Sequence, residues 1–176
     1  MKIGLTGTVS VGKTTLVNAL KELPQFKDYT FATERSKYLR DLGIPLNTDS
    51  TLKGQTVFLA ERCAELMHEN LITDRTVIDV MAFTQAAQSI NQTDKISYEE
   101  YARNFIGEYD YIFYISPDGI EIEDNGVRTI DPEYRDLIDF IIRNTLKSYN
   151  HRLKCCTPIK GNTEQRIKQI LETISL

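Results

Sequence analysis

The chain has 176 residues, 41% of them hydrophobic and 26% charged, enough for a single domain over 1–176 with a sizeable core. Its net charge of −4 speaks against unspecific nucleic-acid binding, which needs a basic surface. No run of 18 apolar residues is present, so no membrane span is expected; three cysteines, two of them adjacent, make a poor disulfide framework and point to a reducing, cytoplasmic setting.

Residues 2–5 read as a short buried strand, followed by LTGTVSVGKTTL (5–16), a loop of small residues that opens a helix ending before Pro24. A second strand is expected over 30–33, then a helix over 34–42 closed by Gly43 and Pro45. A long helix over 51–69 carries an apolar stripe of Leu52, Leu59, Cys63 and Leu66. Gln55 and Arg62, seven apart, share a face beside that stripe. A third strand, 71–74, runs into a helix over 77–88. SYEE (97–100) reads as a capping box with Ser97 as the N-cap. After a fourth strand, 111–115, DPE (131–133) places Asp131 at an N-cap and Pro132 at the first helical position. That helix is expected to bury Leu137, Ile138, Ile141 and Ile142. A fifth strand, 155–159, precedes a last helix with Ile167, Ile170, Leu171 and Ile174 on one face. Short apolar strands alternating with helices predict an α/β fold, a parallel sheet covered on both faces. The polar stretch 116–135 is too long for a plain connection; it is either a lid over a site or a surface loop.

Gly7, Gly12, Lys13 and Thr14 satisfy G-x-x-x-x-G-K-[ST] between a strand and a helix, the context that motif requires. Glycines let the backbone N–H groups of Ser10, Val11, Gly12, Lys13, Thr14 and Thr15 turn toward one anion, and the helix N-terminus adds partial positive charge there. Lys13 can reach the β- and γ-phosphates, and the Thr14 hydroxyl can ligate Mg²⁺. The expected occupant is a nucleoside triphosphate, most simply ATP with Mg²⁺. A guanine-reading N/T-K-x-D is missing: NQTD (91–94) lacks the lysine and follows a helix, which speaks against a GTPase. The length leaves little room for the second helical domain of an oligomeric motor.

In open α/β sheets ligands sit outside the C-terminal strand ends, so the residues leaving strands two and three face the phosphate loop. Glu34 can take a proton from an attacking hydroxyl or orient it; its alternative is a first-turn glutamate on the helix dipole. Arg35 or Arg40 can clamp an acceptor phosphate. In LITDR, Asp74 can hold Mg²⁺ through water and Arg75 can bind an acceptor oxygen, with Asp79 one helical turn on facing the same cleft; the alternative is a surface ion pair. Gln55 and Arg62 can read a base edge or form a solvated helix face.

On these residues the chain resembles the P-loop nucleoside and nucleotide kinases. DRTVIDVMAFTQ is similar to the D-R-x-x-D-[ST]-x-A-Y-Q region of thymidylate kinases and to the E-R-S region of deoxynucleoside kinases. FLAERCAEL is similar to the F-x-A-x-R segment that precedes it there. The resemblance implies a five-stranded sheet in order 2-3-1-4-5, base contacts from Arg62 and Gln55, and a phosphoryl-transfer site lined by Asp74 and Arg75. NGVRTIDPEYRDLID resembles the lid of ribosylnicotinamide kinase domains, which implies Arg128, with Arg135 in reserve, over the transferring phosphate. PIKGNTEQRIKQI resembles their adenine-side loop, which implies backbone contacts to the base from Gly161 and Asn162. Departures are Glu34-Arg35 where thymidylate kinases carry Glu-Pro, Val80 after Asp79, and Phe83 for the tyrosine. The expected activity is ATP-dependent phosphorylation of a small nucleoside or deoxynucleoside monophosphate. A ribosylnicotinamide-type kinase and an ATP-binding regulatory or motor subunit are the alternatives. The partner is then a small-molecule acceptor, with a homodimer left open.

Overall fold

A computed structural model describes residues 1–33, 36–120 and 131–175. Five parallel strands, β1 (Lys2–Thr6), β2 (Thr30–Ala32), β3 (Leu71–Asp74), β4 (Tyr111–Ile115) and β5 (Cys156–Ile159), form one sheet in order β2-β3-β1-β4-β5, as expected. Helices α1 (Lys13–Lys21) and α7 (Thr163–Ile174) cover one face, where Leu16, Val17, Leu20, Ile170 and Ile174 meet Ile3, Leu5, Ile72, Phe113 and Ile159. The other face carries α3 (Leu52–Glu65), α4 (Val77–Ala86), α5 (Gln92–Ala102) and α6 (Pro132–Ser148) over Leu71 and Ile112. A short α2 (Ser36–Asp41) follows β2. The strand residues split by parity: Leu71 and Ile112 serve one core while their neighbours Ile72 and Phe113 serve the other. A strand buried on both faces therefore reads as a continuous apolar run.

Several expected boundaries move, each for a local reason. α3 stops at Glu65, not near 69, because Met67 N–H and His68 N–H bond back three residues, to Ala64 and Glu65. That tighter turn ends the helix before β3. Ser97 does not cap a helix; it lies inside α5, because Asn91 supplies an earlier cap, its Oδ1 accepting from Asp94 N–H at 2.9 Å. In α6, Leu137 is 44% exposed rather than buried, and Arg135 and Asp139 take the inner face beside Tyr134, Ile138 and Ile142. The turn is set by polar anchors: Tyr114 Oη donates to Asp139 at 2.7 Å, and the Arg135 guanidinium bonds the carbonyls of Ile120 and Pro117.

One glycine fixes how α4 meets the sheet. A Cβ at Gly4 would overlap the Thr76 methyl and lie 3.0 Å from the buried Tyr109 ring. Thr76 cannot rotate away, since its hydroxyl caps α4. Gly4→Ala is therefore expected to lower stability by about 1–3 kcal/mol, the usual cost of overpacking a filled core. Denaturant unfolding checks this, and an unchanged midpoint would mean the contact relaxes freely.

Candidate active site

The phosphate loop leaves β1 at Thr6 and ends at Gly12, which has φ +81° and caps α1. Gly7 has φ +153°, and a Cβ there would sit 2.6 Å from the carbonyl of Ile115, so only glycine passes. Val9 and Val11 are buried and pin the loop to the body. Lys13 is buried too, and its ammonium donates to the carbonyls of Gly7 at 2.6 Å and Thr8 at 2.7 Å, across the concave side of the loop.

Two buried groups hold the loop from behind. Asp79, fully buried, accepts from Thr6 Oγ1 at 2.8 Å and Gly7 N–H at 3.2 Å, and also from Thr76 N–H and Oγ1. It does not face the cleft as the sequence suggests. Its carboxylate is spent on tying β1 to the start of α4. From α7, Arg166 donates to the Val11 carbonyl at 2.8 Å, and burial pulls its pKa down. Arg166 is missing from the sequence reading. Its signal was there: it occupies the apolar face that Ile170 and Ile174 continue, where a charged residue needs a reason.

At the end of β3 the Thr14 hydroxyl donates to the Asp74 carboxylate, so the two expected Mg²⁺ ligands meet at the mouth of the loop. Among the described residues no cluster of three or more His, Cys, Asp or Glu is assembled for a metal. Two oxygens beside a phosphate loop suit an ion that takes its remaining ligands from phosphate and water, as Mg²⁺ does. Arg75 follows with φ +95°, a backbone conformation that costs a non-glycine residue on the order of 1–3 kcal/mol. Its guanidinium lies 4.7 Å from the Phe83 ring centroid.

Two cavities flank the loop. One, of about 690 Å³ and open to solvent, is lined by Ser10 to Thr15 with Gly161, Asn162 and Arg166. Asn162 also caps α7, its side chain accepting from Gln165 N–H while its own N–H is held by Gln165 Oε1. The other, of about 470 Å³ including space open to solvent, is lined by Val9, Gln55, Phe58, Arg75, Val80 and Phe83, together with Ser36, Leu46, Asn47 and Ser50. Gln55 is 3% exposed, so it is no solvated face. Arg62 is buried as well but does not line this cavity; it pairs with Glu65 and lies 3.5 Å from the Asp74 carbonyl. Arg40 sits on the exposed side of α2 against Asp41. Glu34, Arg35 and Arg128 lie outside the described residues. Phe58 and Phe83 went unnamed as cavity walls, because apolar residues at helical spacing do not announce which side of a helix a ligand takes.

No curated protein matches the chain in sequence. Among solved structures it is similar to deoxyadenosine kinase from M. mycoides with bound dCTP, at a TM-score of 0.70 and 20% identity, covering 99% of each chain. It is also similar to NadR protein in complex with NR, at 0.77 and 18%, covering 99% of this chain and 51% of that one. A third likeness is to YorR protein from Bacillus subtilis in complex with phosphorylated GDP, at 0.62 and 15%, covering 100% and 96%. These likenesses give the same P-loop kinase fold, and among the described residues no helix is long and apolar enough to cross a membrane. The family model described as an AAA domain, AAA_28, matches residues 2–166, a span that runs from β1 through the phosphate loop to Arg166 behind it, and the chain belongs to that family.

Proposed function

We propose that the protein is an ATP-dependent kinase acting on a small nucleoside or deoxynucleoside monophosphate. One observation carries the reading: the phosphate loop is a shared wall, with Ser10 to Thr15 facing one cavity and Val9 facing the other. A donor and an acceptor can then meet across it. A regulatory or motor subunit needs only the first cavity. The second is lined largely by apolar side chains, with a few polar groups that can fix orientation.

In the reaction an acceptor oxygen, the hydroxyl of a nucleoside or a phosphate oxygen of a monophosphate, bonds to the γ-phosphorus as the bond to the bridging oxygen of ADP breaks. Glu34 takes the hydroxyl proton. Lys13 exchanges the carbonyls of Gly7 and Thr8 for β- and γ-phosphate oxygens, and backbone N–H groups of the loop bind the β-phosphate. Thr14 and Asp74 are the residues that would hold Mg²⁺, which supplies charge neutralisation between the phosphates. Arg75 and Arg35 steady the acceptor end, and Arg128 stabilises the charge that grows on the γ-phosphate. Gly161 and Asn162 border the adenine end. Catalysis is mainly positioning and charge stabilisation.

Among the described residues that line the acceptor cavity, Arg75 is the one charged side chain, and there is no carboxylate. A ribosylnicotinamide, with its cationic ring, is the second acceptor class. The likeness to NadR, with its TM-score of 0.77, keeps that second reading in the test. With MgATP, deoxynucleosides are expected to give a product 80 mass units heavier (one HPO₃, by about that mass). Nicotinamide riboside is expected to give none, and the reverse would select the ribosylnicotinamide reading. Lys13→Ala should lower kcat by about 10²–10³-fold or more with the fold intact by circular dichroism. Unchanged steady-state kinetics would remove the phosphate-loop role.

Gln55→Leu should raise the acceptor KM by about 10–100-fold and leave the ATP KM within a factor of about two, since a buried base contact is worth about 1–3 kcal/mol. Equal effects on both KM values would mean that Gln55 supports the fold only. Arg128→Ala is expected to drop kcat by about 10³–10⁵ with little change in ATP affinity, because charge on the γ-phosphate grows in the transition state. Single-turnover transfer beside equilibrium ATP binding measures both, and a normal transfer rate would withdraw the lid role.

A further inference from the structure

We propose that Arg62, Glu65 and Thr73 form a buried brace that holds Arg75 in its left-handed backbone conformation, and that Arg62 affects the acceptor through this brace rather than by reading a base. The proposal rests on the kinase reading for the task of Arg75, but not for the brace itself.

The backbone of a strand end would ordinarily continue extended past Asp74. At Arg75 it turns to φ +95°, and the chain then enters the capping box of α4 at Thr76. This turn carries the Arg75 side chain over the Phe83 ring and into the lining of the acceptor cavity. Arg75 N–H donates to the Leu5 carbonyl at 3.1 Å, which fixes one end of the turn. The other end depends on Thr73. Its hydroxyl lies 3.0 Å from the Arg75 carbonyl and 3.0 Å from Glu65 Oε2, sharing one proton between two acceptors. Glu65 is held in turn by Arg62, whose Nη2 donates to Oε1 while Nη1 lies 3.5 Å from the Asp74 carbonyl. So both peptide carbonyls flanking the Arg75 N–Cα–C unit face polar groups of this cluster.

The cluster is costly to bury. Arg62 is 2% exposed, Thr73 fully buried, and burial raises the Glu65 pKa despite the arginine beside it. A buried ion pair in place of packed apolar side chains gains little net stability. Its geometry, in contrast, sets two consecutive carbonyls at the point where the backbone is strained. Arg62 is also not among the residues that line the cavity.

The experiment uses the full chain and three variants. Thr73→Val keeps the shape and removes the hydroxyl; Thr73→Ser restores it; Arg75→Ala removes the side chain that the brace aims. With deoxyadenosine and MgATP, Thr73→Val is expected to lower kcat/KM for deoxyadenosine about 10–100-fold with the ATP KM within about twofold, and Thr73→Ser to recover most of the loss. In the Arg75→Ala background, Thr73→Val should add less than about twofold, since residues acting through one group are not additive. A full additional loss there would overturn the proposal.

A second readout needs no turnover. The Arg75 Nε–H resonance, assigned by its disappearance in Arg75→Lys, is shifted by the Phe83 ring current and is expected to move in Thr73→Val and Arg62→Met and to stay in Thr73→Ser. An unmoved resonance in Thr73→Val overturns the brace even if activity falls. If the wild-type chain phosphorylates no acceptor and the resonance still moves, the kinase reading fails and the brace stands. If Arg62→Met does not fold, Thr73→Val, which deletes no charge, decides alone.

Discussion

The Asp79 carboxylate joins the two strand ends on which everything else is built. Fully buried, it gathers Thr6 Oγ1 and Gly7 N–H from the exit of β1, and Thr76 N–H and Oγ1 from the turn after β3. Adjacent parallel strands are already in register here, Leu5 opposite Asp74. What the carboxylate adds is a fixed relation between the chain leaving each of them. The phosphate loop and the Asp74-Arg75 pair are thereby locked to one another, and the Thr14 hydroxyl finds Asp74. A buried charge of this kind is tolerated because several donors meet it at once.

Strain is concentrated along the same seam. Ser10 and Gly12 in the loop and Arg75 at the end of β3 all have positive φ, and Gly7 stands where no Cβ fits. Conformations of this type persist when the surroundings over-determine them. The surroundings here are specific: Val9 and Val11 in the core, Arg166 on the Val11 carbonyl, Thr8 Oγ1 on the Arg135 carbonyl at 2.8 Å, and the Thr73 hydroxyl on Arg75. Four elements distant in sequence, β3, α4, α6 and α7, thus hold one short loop and its neighbour. Just after β4, the Arg135 guanidinium bonds the carbonyls of Pro117 and Ile120.

A division of labour follows from burial. The open cavity beside the loop is polar and solvated, suited to a charged, exchangeable donor. The second is walled by Phe58, Phe83, Leu46, Val9 and Val80, with Gln55 as a buried amide and Arg75 as a charge stacked on a ring. Burial of these two polar side chains strengthens each contact they make. Two environments on the two sides of one loop let phosphate chemistry and acceptor selection be tuned separately.

The sequence alone determined the strand count, the parallel sheet and the phosphate loop, because each is written locally: short apolar runs, helix spacing, and glycines at fixed offsets before Lys13 and Thr14. It also determined Asp74 and Arg75 as a pair leaving a buried strand, and Gln55 and Arg62 as neighbours on one helix face. Tertiary structure decided what those neighbours do. Gln55 enters a cavity, whereas Arg62, on the same face, pairs with Glu65 one turn on and lies 3.5 Å from the Asp74 carbonyl at the end of β3, because the fate of a buried polar side chain depends on which groups its neighbours present. It decided that Asp79 is an anchor, since two of its four donors, Thr6 Oγ1 and Gly7 N–H, come from the exit of β1, which only the β1–β3 pairing brings to the α4 cap. It decided that Arg166 supports the loop, a contact across 155 residues of chain that no local pattern encodes. And it moved a helix start from Ser97 to Asn91, whose Oδ1 accepts from Asp94 N–H and so begins α5 six residues earlier.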